Sequence, residues 1–427
     1  MKVRNEYFEI GNSDNADDHT RSSAFCNLAN ALDHSGRWAE AYDFYLRALD
    51  IDPDNGNAAG NLAFLLQNRV ESGIGQTGHI AAVYDKYAEL AKSLYEGTLT
   101  FTSQKVAERW DRLLPSESLG HLSHGLDDTE VSDFEYRQWV ASLRLALSSA
   151  VEGLGADDLR WDSATIERLY GASPEAMNPP ILGEMNVLKS DFLVSRRLAY
   201  DSLATIPDDL SQTPNDSGAY TETLDGSLYG LQYSMLLLAQ RSALDVLDKT
   251  AVVANEYFDA GDKPNKVSFR QFWKGKSGSL RDALIKGPGR SLPNLALYEL
   301  ALDMNKGGIY EMSQALRNAG THRIVHAAWL EPEGVTDSSR SRIHLRDLID
   351  STILALQVTR SAYLYLIDLV ATWNHPDDHQ GEYHDYPDFR YMNDPEADDP
   401  LHLLEHSLQE PDDADADQAQ SDGRDTD

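Results

Sequence analysis

Ser22-Ser23-Ala24-Phe25-Cys26-Asn27-Leu28-Ala29-Asn30-Ala31-Leu32 is the stretch on which the fold turns. Its apolar residues Phe25, Leu28 and Leu32 recur at three- and four-residue spacing, the period of a helix with one buried stripe. A second set follows at Ala41, Tyr45 and Ala48, and Pro53 closes the unit. Ala29 and Ala41 are small, so two antiparallel helices carrying them can approach closely. The reading is a helical hairpin over 22–55.

Those positions resemble the 34-residue tetratricopeptide repeat. Leu62, Ala63 and Leu66 begin another unit in the same rhythm. A glycine-containing insertion from Gly73 to Gly78 then delays its second helix to about 80–95. One clean and one degenerate repeat are too few to stand alone and are expected to pack on the helices that follow. The resemblance implies a surface for a protein or nucleotide ligand at the repeats; the alternative is a plain hairpin extension of the core.

Helical periodicity continues through 131–153, 187–204, 227–259, 295–305, 308–331 and 345–374, and no strand stands out. The predicted fold class is all-α. Residues 1–100 form the repeats, 101–186 a helical linker region, 187–375 a helical bundle and 376–427 an acidic, disordered tail. In helix 131–153 the expected core residues are Phe134, Trp139, Leu143 and Leu147, and 205–226 reads as an exposed connection. Residues 409–427 hold eight acidic residues and one Arg, the composition of a solvated tail.

The formal net charge is -33, from 70 Asp and Glu against 37 Lys and Arg. A generally basic nucleic-acid binder is excluded, so any RNA contact has to come from a local patch. Twelve Lys stand against 25 Arg, and a Lys-poor, Asp-rich surface suits concentrated salt, as in a halophilic prokaryote. Cys26 is the one cysteine, which excludes an intrachain disulfide and fits a reducing cytoplasm. No leader is visible at the N-terminus. Stretches such as Ala362 to Trp373 are too short or too broken, here by Asp368, to span a bilayer. A soluble, cytoplasmic protein without membrane contact is expected.

The chemistry concentrates in Ser313-Gln314-Ala315-Leu316-Arg317-Asn318-Ala319-Gly320-Thr321-His322-Arg323-Ile324-Val325-His326. Polar groups within so apolar a segment are costly to bury unless paired or opened to a cleft, which points to a functional site. Arg, Asn, three residues and His on a late helix resemble the Arg-x4–6-His signature of the HEPN superfamily. More narrowly, the order resembles prokaryotic HEPN proteins with tetratricopeptide-like repeats ahead of the bundle. The bare spacing carries little weight; Asn318 directly after Arg317 and the upstream repeats carry the rest.

The resemblance implies a metal-independent endoribonuclease that turns the RNA 2′-hydroxyl on its own phosphate, in a defence or toxin-like response. His322 titrates near neutrality and can move the proton. Arg317 keeps its charge and can hold phosphate oxygens in two places. Asn318, four residues from His322, orients the histidine or the phosphate. Arg317 falls about 140° from His322 on an ideal helix. With the resemblance, that implies a homodimer pairing two motifs, and a product with a 2′,3′-cyclic phosphate and a 5′-hydroxyl. Ile324 stands where some HEPN toxins carry the Tyr that an antitoxin modifies. His326 makes a His-x3-His spacing, but no third ligand follows, so neither metal nor cofactor is expected.

Lys263, Lys266, Arg270, Lys274, Lys276, Arg281, Lys286 and Arg290 fall within 263–290 against Asp282 alone, with Phe269, Phe272 and Trp273 between them. Cations can neutralise phosphates while rings stack on bases. The expected RNA contacts are Arg270, Lys274, Lys276 and Arg323; alternatively the rings anchor the segment in the core. Gly275-Lys276-Ser277 is no phosphate loop, because Arg270 stands where the first glycine is needed. His375, Asp377, His379 and His384 lie in a Pro-broken polar stretch and read as solvated tail. The rival reading of the whole is a non-catalytic helical scaffold that binds protein partners through the repeats.

Overall fold

Buried alanines set how the front of the molecule closes. The computed structural model describes residues 1–116, 118, 120–127, 131–166, 168–170, 179–207, 220–221, 223–275, 277–281, 284, 292–311, 313, 316, 324–330, 340–373 and 383–385. Helix α1 (Lys2–Gly11) leads into the hairpin of α2 (Asp18–Asp33) and α3 (Trp38–Ile51). Leu28, Ala29, Leu32, Ala41 and Ala48 are fully buried between them, as the spacing predicts. The second unit pairs α4 (Gly56–Glu71) with α5 (Thr77–Ser93). Asn55 caps α4 by accepting from the Ala58 amide (2.9 Å), and its own amide donates to Ser22 Oγ (2.8 Å). Such a cap contributes about 1 kcal/mol.

Two short helices, α6 (Tyr95–Phe101) and α7 (Gln104–Asp111), cover α4. Beyond them, the predicted helix 131–153 is shorter than its periodicity suggested: α8 runs from Phe134 to Ser142. Arg144 adopts a left-handed φ of 52°, and the Leu145 amide reaches back to the Val140 carbonyl (2.8 Å). That closure ends the helix. Leu147 is buried as expected, whereas Phe134, Trp139 and Leu143 are half-buried. The following segment is pinned to the bundle by polar contacts. Arg196 donates to both oxygens of Asp162 (2.8 Å each), and the buried Arg360 donates to the Ala146 carbonyl (2.8 Å).

The bundle is built from α9 (Pro180–Thr205), α10 (Leu231–Tyr257), the short α11 (Phe269–Phe272), α12 (Leu292–Asp303) and α13 (Leu345–Trp373). Helix α13 is long and apolar enough to cross a bilayer, longer than the broken stretch recognised in the sequence. Yet 89% of its apolar window is buried inside the protein, which makes it a central core helix. Its hydroxyls follow suit: Thr359 donates to the Ala243 carbonyl of α10 (3.0 Å).

The fold is helical, with two small sheets added. Strand β1 (Arg168–Tyr170) pairs antiparallel with β5 (Tyr383–Asp385), a stretch that the sequence assigned to the tail. Strand β2 (Ser227–Leu228) is antiparallel to β3 (Ile324–Ala328), which runs parallel to β4 (Arg340–His344). The predicted helix 308–331 is corrected here, because its last third is β3. Ile324 and Val325 are β-branched, and Val325 and Ala327 alternate inward against Leu228, Ile343 and Leu348. Residues 386–427 lie outside the described residues.

Candidate functional site

Arg317, Asn318, His322 and Arg323 lie outside the described residues, as does Lys276. Described residues flank the motif on both sides. Before it, Tyr310 is buried and donates its hydroxyl to Glu40 of α3. Ser313 is also buried; its carbonyl accepts from Gln240 Nε2 (2.8 Å), and its hydroxyl meets that of Ser351 (3.2 Å). Leu316 is the last described residue ahead of Arg317. It packs with Tyr233, Leu236 and Leu348. After the motif, the chain enters β3 at Ile324. The seven undescribed residues 317–323 therefore join a buried core position to the start of a strand.

His326 sits on β3, not on a helix, so the helical His-x3-His spacing does not apply to it. Its register partner on β4 is Arg342. The guanidinium of Arg342 donates to the Asp225 carbonyl and lies 3.6 Å from the Asp225 carboxylate. Hydrogen bonds from Thr223 and Ser227 hold that carboxyl well below its usual range. Tyr229, directly after β2, meets the His326 ring edge-on, with centroids 6.2 Å apart. Tyr220 stacks on Tyr229 at 6.0 Å and 14°. The sequence hides this aromatic group, because Tyr220 lies in a stretch that reads as a polar connection.

In the basic segment, the core-anchoring alternative is the one observed for the rings. Phe269, Phe272 and Trp273 are buried, and both phenylalanines meet the Trp273 ring edge-to-face, so none is open to a base. Among the described cations, Lys263 and Lys266 are exposed. Arg270 and Lys274 are half-buried, and burial followed by the charge of Arg270 lowers the Lys274 ammonium. A cavity of about 720 Å³ opens here, with Lys263, Lys266, Lys274, Ser268 and Ser277 in its wall. That lining suits an anion.

A second cavity, of about 950 Å³, lies where the repeats meet the bundle. Asn30, Asn61 and Asn68 face it from α2 and α4, with Phe64 and Arg109 beside them and Asp368 of α13 opposite. The Arg109 guanidinium rests 4.5 Å over the Phe64 ring. Burial pushes the Asp33 carboxyl in this wall up to about 6, with His34 pulling the other way.

Where the repeats meet the bundle runs a buried polar seam. Arg37 donates to Glu40 through Nε (2.8 Å) and bridges to Asp303 of α12. Arg4 holds the same Asp303 (2.9 and 3.0 Å). Burial alone would lower the Arg37 pKa, but Glu40 and Asp303 outweigh it and hold it well above its ordinary value. Asp368, read in the sequence only as a break in an apolar run, accepts from Trp38 Nε1 (2.8 Å) and from Arg69 twice (2.8 and 3.2 Å).

Comparison with known families fits this arrangement. Residues 172–372 match the family described as LA2681-like HEPN, and residues 22–55 match the tetratricopeptide repeat. No curated protein and no solved structure matches the chain.

Proposed function

We propose, for a chain whose residues 172–372 are an LA2681-like HEPN domain preceded by a tetratricopeptide repeat, that it is a metal-independent endoribonuclease acting in a defence or toxin-like response. The observation that carries this reading is the position of Arg317-Asn318-x3-His322 inside the matched HEPN segment. HEPN domains are generally ribonucleases.

In the proposed reaction His322 takes the proton of an RNA 2′-hydroxyl. The 2′-oxygen forms a bond to the adjacent phosphorus while the bond to the 5′-oxygen breaks, and that oxygen leaves with a proton. The products are a 2′,3′-cyclic phosphate and a 5′-hydroxyl. Arg317 neutralises the charge gathering on the phosphate oxygens, and Asn318 orients His322 or the phosphate. Two copies of the chain pair their motifs in a homodimer. Arg323, Arg270, Lys274 and Lys276 hold flanking phosphates, a role that the cation-lined cavity at 263–281 supports. The repeats take a protein segment or a nucleotide in the cavity facing α13 and restrain or release the nuclease.

The test is cleavage of single-stranded RNA by the full-length protein in EDTA, at low and at molar salt. Wild type is expected to leave cyclic phosphate ends, and His322→Ala to lose roughly 10²- to 10⁴-fold in rate. Arg317→Ala is expected to lose cleavage as well. Equal cleavage by all three proteins, or none by wild type at any salt, would falsify the assignment and leave the helical scaffold as the better reading.

A further inference from the structure

The sheet of β2, β3 and β4 sorts its side chains. Val325, Ala327, Leu228 and Ile343 turn into the core, and His326 does not belong to that cluster. Around His326 stand Tyr229, then Tyr220 stacked on it, and Arg342 in register. Tyr220 is 49% exposed, and Leu224, Ile324, Trp329 and Leu330 are exposed nearby. Single exposed apolar residues are ordinary on a surface, but a stacked aromatic pair beside further open apolar and aromatic side chains is not.

Its place along the chain gives it meaning. His326 is four residues from His322, so their Cα atoms are separated by at most about 14 Å of extended chain. Tyr229 touches the His326 ring. The aromatic pair is thus tethered to the neighbourhood of the motif by covalent geometry alone.

Resting on the ribonuclease reading above, we infer that Tyr220 and Tyr229 form a stacking subsite for an unpaired base of single-stranded RNA next to the scissile phosphate. Every base has a flat π face, so such a platform tolerates sequence but demands that the base be out of a helix. His326 closes the inner edge of the platform. Arg342, held by Asp225, fixes β4 against that loop, so its guanidinium is a brace and not a free phosphate ligand. The substrate class that follows is single-stranded or looped RNA, read with little base preference. A protein partner would be better served by a closed apolar patch than by one exposed ring stacked on a half-buried one.

The experiment measures binding of a short fluorescein-labelled single-stranded RNA to full-length His322→Ala protein by anisotropy. It is run with and without Tyr220→Ala or Tyr220→Phe, and with abasic sites moved along the RNA. Loss of one stacked base corresponds to a drop of roughly 5- to 100-fold in affinity. Tyr220→Ala should show that drop, and Tyr220→Phe should not. One abasic position should weaken binding to the Tyr220 protein by a similar factor and leave the Tyr220→Ala protein unaffected. Losses from the abasic site and from Tyr220→Ala that simply multiply, or binding left unchanged by Tyr220→Ala while wild type cleaves RNA, overturn the subsite and spare the nuclease. Dissociation of a dimer by Tyr220→Ala, seen by sedimentation, overturns it in favour of a second copy as the occupant. No binding by the His322→Ala protein together with no cleavage by wild type removes both readings. Thermal melts establish that each variant is folded.

Discussion

The seam between repeats and bundle and the sheet beside the motif treat polar and aromatic groups in opposite ways. In the seam, Arg37 is fully buried and saturated by Glu40 and Asp303, and Tyr365 adds a hydroxyl donor to Glu40 (3.1 Å). Around the sheet, Tyr220, Trp329 and Ile324 are left about half or more in water. Satisfied burial positions elements; an exposed ring leaves a face that something else can cover. On the function proposed above, the difference separates the part of the molecule that holds shape from the part that meets RNA.

The seam is where substitution should weigh most on stability. Arg37→Met leaves Glu40 a buried carboxylate without its guanidinium partner and Asp303 with Arg4 alone, and about 3–5 kcal/mol of unfolding free energy should be lost in denaturant titration. A loss near that of an exposed ion pair, below about 1 kcal/mol, would erase the contrast with the sheet. Packing inside the repeats should come next. A Cβ on Gly60 would meet the Trp110 ring at 2.4 Å, so Gly60→Ala should lower stability by about 1–3 kcal/mol. Unchanged melting would mean that α7 slides easily over α4.

The smallest effect belongs to the cavity wall. The Asp33 carboxyl is raised to about 6 in the folded protein, against 3.8 ordinarily. Between those values the folded state binds more protons than the unfolded state, so stability falls as pH rises from about 4 to 6. Asp33→Asn should remove that fall. Its melting temperature should match wild type near pH 4 and exceed it at pH 7, and an equal offset at both pH values would show that burial of the charge is not the cause.

The sequence shows local structure well and distant pairing poorly. The hairpin at 22–55 is legible because Leu28, Ala29 and Ala41 report a contact made within one unit. Helix α13 is legible because twenty-nine residues of one period leave little choice. Strand β3 is not, since Ile324-Val325-His326-Ala327-Ala328 fits either period and its partner β4 is set by pairing rather than by local preference. The Arg37–Asp303 pair spans 266 positions, and nothing near Arg37 announces it. The rings at 269–273 show the reverse trap: cations around them suggested an RNA surface, and the rings turned inward. For the motif itself, residue chemistry carried the reading, and Arg317, Asn318 and His322 lie outside the described residues.

Asp368 has a consequence for how the chain folds. One carboxylate on α13 receives Trp38 from the first repeat unit and Arg69 from the second, with side chains about nine-tenths buried on both sides of the ion pair. Cutting the chain after the repeats would leave that charge, and Asp303 with it, facing an emptied core wall. The repeats are therefore expected to melt with the bundle in one cooperative transition. Either piece expressed alone should behave as an incomplete protein.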